Sequence, residues 1–298
     1  DGDDVKFAPP RWARRLAEAG TGVLFLDEIS TAPPAVQAAL LRVVLERVVG
    51  DLVLPQNIAI VAAANPPDQA ADGWDLSAPL ANRFCHLDWQ VDPTVVATGL
   101  VAGFKTPDVP RLSKGWQDQL PVTAALVGGF LAVRRSLVIA PPDERALAGR
   151  AWPSPRTWEM VARLLAAARA VDASMEARRN LVIGSVGDGA GLEFLTWLEE
   201  LDLPDPESAL KDPESVDFPD RGDRLYAALS AVAGAVAANP TPERWLAGWR
   251  VLERAAGHAP DVGAMAARVL AQVRPSGMSA PREAAIFVPV LKAAGLLE

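Results

Sequence analysis

The spacing of apolar residues changes character near residue 92, and this divides the chain. Before that point, short uninterrupted hydrophobic runs alternate with helical patterns. Residues 10–19, PRWARRLAEA, predict a helix with Pro10 in its first turn and Gly20 and Gly22 beyond its end. The run Val23–Leu26 follows without alternation, as in a strand buried on both faces of a parallel sheet. In STAPPAVQAALLRVVLE, Ser30 or Thr31 is the expected cap, and Val36, Leu40, Val43 and Val44 repeat at helical spacing. RVVGDLVLP places β-branched residues on both sides of Gly50-Asp51 and predicts a small hairpin. A second apolar strand is expected over Ile58–Ala63, ending at Asn65-Pro66, and a further one over Phe84–Trp89. This alternation is that of a doubly wound α/β domain.

Beyond residue 92 the strand signal fades. A polar, proline-bearing stretch at 105–121 reads as a linker or an insertion, followed by helices expected at about 122–139, 155–172, 190–201, 222–238, 242–256, 261–273 and 281–296. The acidic, proline-rich segment 203–221 separates a middle helical region from a C-terminal one. The expected domains are 1–91, 92–212 and 213–298. The opening DGDDVKFAPP reads as a hairpin or a plain connecting loop.

Composition narrows the chemistry. A chain of 298 residues, half of them hydrophobic, can bury a large core. With 29 Lys+Arg against 37 Asp+Glu, a general nucleic-acid backbone binder is disfavoured. One cysteine and two histidines exclude an internal disulfide framework and a multi-histidine metal site. No run has the length of a membrane helix and no secretory signal opens the chain, so the cytoplasm is the expected location. Cys85 reads as a small buried hydrophobe, and Trp158, Trp197, Trp245 and Trp249 fall on amphipathic helices, where packing is their expected role. Arg11, Arg14 and Arg15 cluster on one short helix, facing either solvent or a subunit interface.

Four polar positions carry the candidate chemistry. Asp27-Glu28 ends the first apolar strand, where doubly wound sheets bind ligands; a carboxylate there can serve a hard cation while its neighbour polarises a water, or the pair can simply form a solvated turn. Asn65 ends the second apolar strand and can stand beside them, although Asn-Pro-Pro is also an ordinary turn. Arg83, in PLANRF, and Arg156, at a helix start in WPSPRTWEM, suit phosphate oxygens or, alternatively, surface ion pairs.

In order and spacing, LFLDEISTAPPAVQAALLRVVLER, IAIVAAANP, APLANRF and PSPRT closely resemble the AAA+ ATPases of the MoxR branch over residues 22–158. The resemblance implies a partial doubly wound AAA+ core, an all-helical lid and a C-terminal helical region, with ATP and Mg²⁺ as cofactors. It implies that Asp27 holds Mg²⁺, Glu28 activates water, and Asn65 is sensor 1. Arg83 then matches the arginine finger, acting on a neighbouring subunit's nucleotide, and Arg156 matches sensor 2, acting within its own subunit. It also implies self-association into a ring, expected as a hexamer, remodelling or maturation of a partner protein, and a partner with a von Willebrand A domain. No GxxxxGK[ST] phosphate loop occurs in the chain, and GSVGDGAG at 184–191 carries Asp188 where such a loop needs Lys. The expectation is therefore a portion of a longer ATPase, inactive alone. The alternatives are one half of a split enzyme or a non-catalytic AAA+-like scaffold.

Overall fold

The computed structural model describes residues 7–65, 73–143, 149–200, 204–256 and 262–293. The hairpin expected at the amino terminus falls largely outside them. Helix α1 (Arg11–Ala19) ends where Gly20 takes φ 72° and donates its N–H to the Leu16 carbonyl, a left-handed stop that glycine adopts without the cost a Cβ imposes. Strand β1 (Gly22–Leu26) follows, then a short turn at Ile29–Thr31 and helix α2 (Pro34–Glu46). Contrary to expectation, neither Ser30 nor Thr31 caps α2. Its first turn starts from Pro33 with no side-chain cap.

The hairpin forms as β2 (Val48–Val49) and β3 (Leu52–Val53). At its tip Gly50 has φ +62°, and a Cβ there would meet the Phe7 carbonyl oxygen at 2.7 Å. The Phe7 N–H also donates to Asp51 Oδ2 at 2.8 Å, so the tip is tied to the segment that precedes α1. Strand β4 (Ile58–Ala62) pairs parallel with β1, from Gly22 opposite Ile58 to Leu26 opposite Ala62.

Inward-facing Leu24 and Ile58 pack with Ala13, Val49 and Leu54. The opposite face corrects the expectation of burial on both sides: Val23 and Phe25 are 57% and 56% exposed, and Val61 is exposed beside them. A continuous apolar strand is buried twice only where helices cover both faces. Among the described residues one face is covered, so the layering is narrower than the doubly wound arrangement expected. Phe84–Trp89 likewise is not a strand. After helix α3 (Ala78–Ala81) this segment runs irregularly, and the His86 N–H donates to the Gly184 carbonyl at 2.6 Å in place of a ladder partner.

The rest is helical: α4 (Pro93–Ala102), α5 (Leu120–Val133), α6 (Pro155–Ala170), α7 (Met175–Val186), α8 (Asp188–Glu199), α9 (Pro206–Lys211), α10 (Gly222–Ala238), α11 (Pro242–Ala256), α12 (Ala264–Gln272) and α13 (Val288–Ala293). The sequence reading missed α4, α7 and α9. Helix α4 lacks a polar face, with Val95, Leu100 and Val101 all exposed, so it shows no amphipathic period. Helix α9 sits inside the segment read as a separator. That segment is fastened to α11: Arg244 bonds both Glu207 oxygens at 2.6 and 2.8 Å, and Arg254 lies over the Phe218 ring.

Two helical cores hold the tryptophans as expected. Trp158 and Trp197 pack with Phe130 and Phe194, ring centroids 5.2–6.2 Å apart. Trp245 and Trp249 are buried in the C-terminal core, Trp245 Nε1 donating to the Leu270 carbonyl at 2.7 Å. Helix α10 joins the two, placing Ala227 in the first and Leu229 in the second.

Candidate functional site

Parallel pairing brings the carboxyl ends of β1 and β4 to one edge. The ladder continues past both strands, with the Ala63 N–H donating to the Leu26 carbonyl and the Ile29 N–H to the Ala63 carbonyl, each at 2.9 Å. Asp27 and Glu28 lie between those two links, and Asn65 leaves two residues beyond Ala63. All three are exposed. Glu28 takes φ 50°, a left-handed conformation that is strained for a non-glycine residue. Its N–H donates to Asp27 Oδ1 at 3.1 Å and its carbonyl accepts from the Thr31 hydroxyl at 2.8 Å, which hold the bend. Neither carboxylate forms an ion pair among the described residues.

No cluster of three or more His, Cys, Asp or Glu able to cage a metal occurs among the described residues. A single exposed carboxylate fits Mg²⁺, which keeps several waters and shares phosphate oxygens, better than a cation needing an all-protein cage.

Arg83 and Arg156 form a second group. Arg83 follows α3 and is half-buried. One Nη donates to the Pro79 carbonyl, while its buried Nε has no partner. Burial, with the nearby Arg156 charge adding to it, holds the Arg83 guanidinium below its ordinary pKa. Arg156 stands exposed in the first turn of α6. Ser154 caps that helix as the sequence predicted, with Pro155 in its first turn. The Thr157 N–H donates to Ser154 Oγ at 3.3 Å, and the Ser154 N–H donates to Thr157 Oγ1 at 2.8 Å. Among the described residues no hydrogen bond or ion pair joins this arginine group to the carboxylate edge.

Two buried amides that the sequence reading did not single out hold these pieces. Gln37 is 1% exposed, the one fully buried position on α2. Its Nε2 donates to the Ala32 carbonyl at 3.1 Å and the Asp75 carbonyl at 3.2 Å, and its Oε1 accepts from the Ser77 N–H at 2.8 Å. It therefore clamps the segment leading into α3. Asn82, 3% exposed, donates from Nδ2 to the Trp152 carbonyl at 3.0 Å and accepts from Ser154 Oγ at 2.7 Å. Both residues look like ordinary polar positions in sequence; only Gln37's place among apolar neighbours of α2 hinted at burial.

Cys85 and His86 sit beside this joint, packed on α7. Burial pushes the Cys85 thiol up and the His86 imidazole down, and His86 Nε2 is 2.9 Å from the Ala81 carbonyl. A thiol held protonated makes a poor nucleophile, which agrees with its reading as a packing residue. Gly187, with φ +81°, turns α7 into α8, so GSVGDGAG is a helix–helix corner.

Residues 11–73 match the sequence family described as the Sigma-54 interaction domain. Over 62 residues the chain is 47% identical to the Psp operon transcriptional activator of Escherichia coli K12, covering 20% of this chain and 19% of that protein. Over 56 residues it is 41% identical to the pathogenicity-locus regulatory protein WtsA of Pantoea stewartii subsp. stewartii, covering 17% of each. The chain thus spans under a fifth of the length of these relatives. No solved structure matches it. These matches establish similarity over residues 11–73 and do not extend to the rest of the chain.

Proposed function

We propose that residues 22–158 supply one wall of the nucleotide site of an AAA+ ATPase that couples ATP hydrolysis to a change in a partner protein. The observation that carries this reading is the parallel pairing of β1 with β4, which sets Asp27, Glu28 and Asn65 at one sheet edge. Asp27 would hold Mg²⁺, and the ion would supply neutralisation of charge on the phosphates. Glu28, with no cation to neutralise it among the described residues, accepts a proton from the attacking water, and Asn65 orients that water. Arg83 and Arg156 face the phosphoryl oxygens. In the proposed division, 1–91 is the core, 92–212 the lid carrying Arg156, and 213–298 a helical region that engages the client. PSPRT at the start of α6 and the hairpin before Asn65 favour a ring-forming remodelling ATPase of the MoxR branch.

A second reading, favoured by the match over residues 11–73, is a regulatory ATPase acting on sigma-54. Binding of the chain to purified sigma-54 would select this reading, and failure to bind would leave the remodelling one.

With no GxxxxGK[ST] among its 298 residues, the chain by itself is expected to bind Mg·ATP weakly and turn none over. Calorimetry should show that binding lost in Asp27→Asn. Steady hydrolysis by the purified chain, abolished by Glu28→Gln, would refute the incomplete-wall reading. Binding unaffected by Asp27→Asn would refute the metal role.

A further inference from the structure

The joint between α3 and α6 rests on a compact polar network. Asn82 immediately precedes Arg83, and Ser154 lies two residues before Arg156. Their side chains meet at 2.7 Å across 72 residues of sequence. All three members, Asn82, Ser154 and Thr157, are buried. Every polar atom of the Asn82 side chain is engaged: Oδ1 by the Ser154 hydroxyl, and Nδ2 by the carbonyl of Trp152, the same oxygen to which the Thr157 hydroxyl donates at 3.1 Å. A buried amide whose bonds all go to one helix start fixes that helix's position and roll, because losing alignment leaves desolvated groups unpaired. On either side of this neutral network stand two cations, and none of the acidic groups described forms an ion pair with either.

We propose that Asn82 is a positioning residue that locks Arg83 and Arg156 into one anion-facing unit through Ser154 and the Trp152 carbonyl. This rests on the reading of the two arginines as phosphate-facing. The unit is set within a single chain, before any partner or nucleotide arrives. Movement of the helical region about this joint therefore changes both arginines together, and the Asn82–Ser154 bond is where that coupling passes.

The test uses the ¹⁵N-labelled 298-residue chain and the side-chain Nε–H signals of Arg83 and Arg156, with inorganic pyrophosphate as the anion. Without ligand, Arg156→Gln is expected to shift the Arg83 signal in the wild-type background. It should leave that signal nearly unmoved when combined with Asn82→Ala or Ser154→Ala, while Ser154→Thr, which keeps the hydroxyl, restores the response. Asn82→Ala should also weaken pyrophosphate binding by about five- to tenfold, the size expected for one lost buried hydrogen bond. A full Arg83 response surviving in both alanine backgrounds overturns the positioning role. Should Asn82→Ala fail to fold, Ser154→Ala and its threonine rescue decide the matter. If pyrophosphate moves neither arginine signal in the wild type, the phosphate-facing reading fails, and the ligand-free signals still decide the lock.

Discussion

Replacing Gln37 with leucine tests whether one buried amide holds the route from α2 to Arg83. Leucine keeps the side-chain volume close to that of glutamine, so the cavity contribution stays small and the polar loss is isolated. Three backbone groups lose their partner: the carbonyls of Ala32 and Asp75 and the N–H of Ser77. A buried group left unpaired costs roughly 1–3 kcal/mol, and the two carbonyls lie on loops where water can regain them, so a total of about 3 kcal/mol is expected. That cost falls on the 73–77 segment first, because Ser77 opens α3 and no side-chain cap holds it there. The lost bonds are local to the segment entering α3, so a global unfolding midpoint reports them less directly than local opening does. Amide hydrogen exchange at Ser77 and Leu80 is the better assay, and about a 100-fold loss of protection corresponds to that energy. Amides of α11 and α12, remote from the change, should keep theirs. Unaltered protection at Ser77 in a folded Gln37→Leu chain would refute the clamp.

Two further outcomes follow from the joint around residues 84–86. Burial lowers the His86 pKa, so between its folded value and the ordinary value near 6.5 the unfolded chain binds a proton that the native chain resists. Stability from this residue is therefore complete above about pH 6.5 and declines as pH falls below it; the urea midpoint should drop from pH 7.5 to 5.5, and an equal drop in His86→Gln would refute the assignment. Gly184→Ala would place a Cβ 2.2 Å from the His86 carbonyl oxygen, a backbone contact that cannot yield cheaply. It should cost about 3 kcal/mol, whereas Gly128→Ala in α5, with open space around it, should be neutral or gain up to about 1 kcal/mol; equal melting temperatures for the two variants would contradict the packing of α7 on this segment.

Local chemistry decided much of what the sequence predicted. The glycine stop after α1, the Gly50 hairpin tip, the Ser154-Pro155 start of α6 and the apolar runs that become β1 and β4 each follow from residues close in the chain, and they form where expected. The polar candidates were legible for the same reason: Asp27-Glu28 and Asn65 stand at the ends of apolar runs, and parallel pairing places such ends together. What sequence alone could not decide depends on partners remote in the chain. Phe84–Trp89 has the composition of a strand but no neighbouring strand among the described residues, so the His86 N–H turns to Gly184 on α7. Val23 and Phe25 are as apolar as Leu24, yet only the face that meets α1 and the hairpin is buried. Gln37 and Asn82 show the same limit most sharply. An amide's role is set by the carbonyls and N–H groups that meet it across 38, 40, 70 and 72 residues, and only the tertiary structure brings those groups within hydrogen-bonding distance.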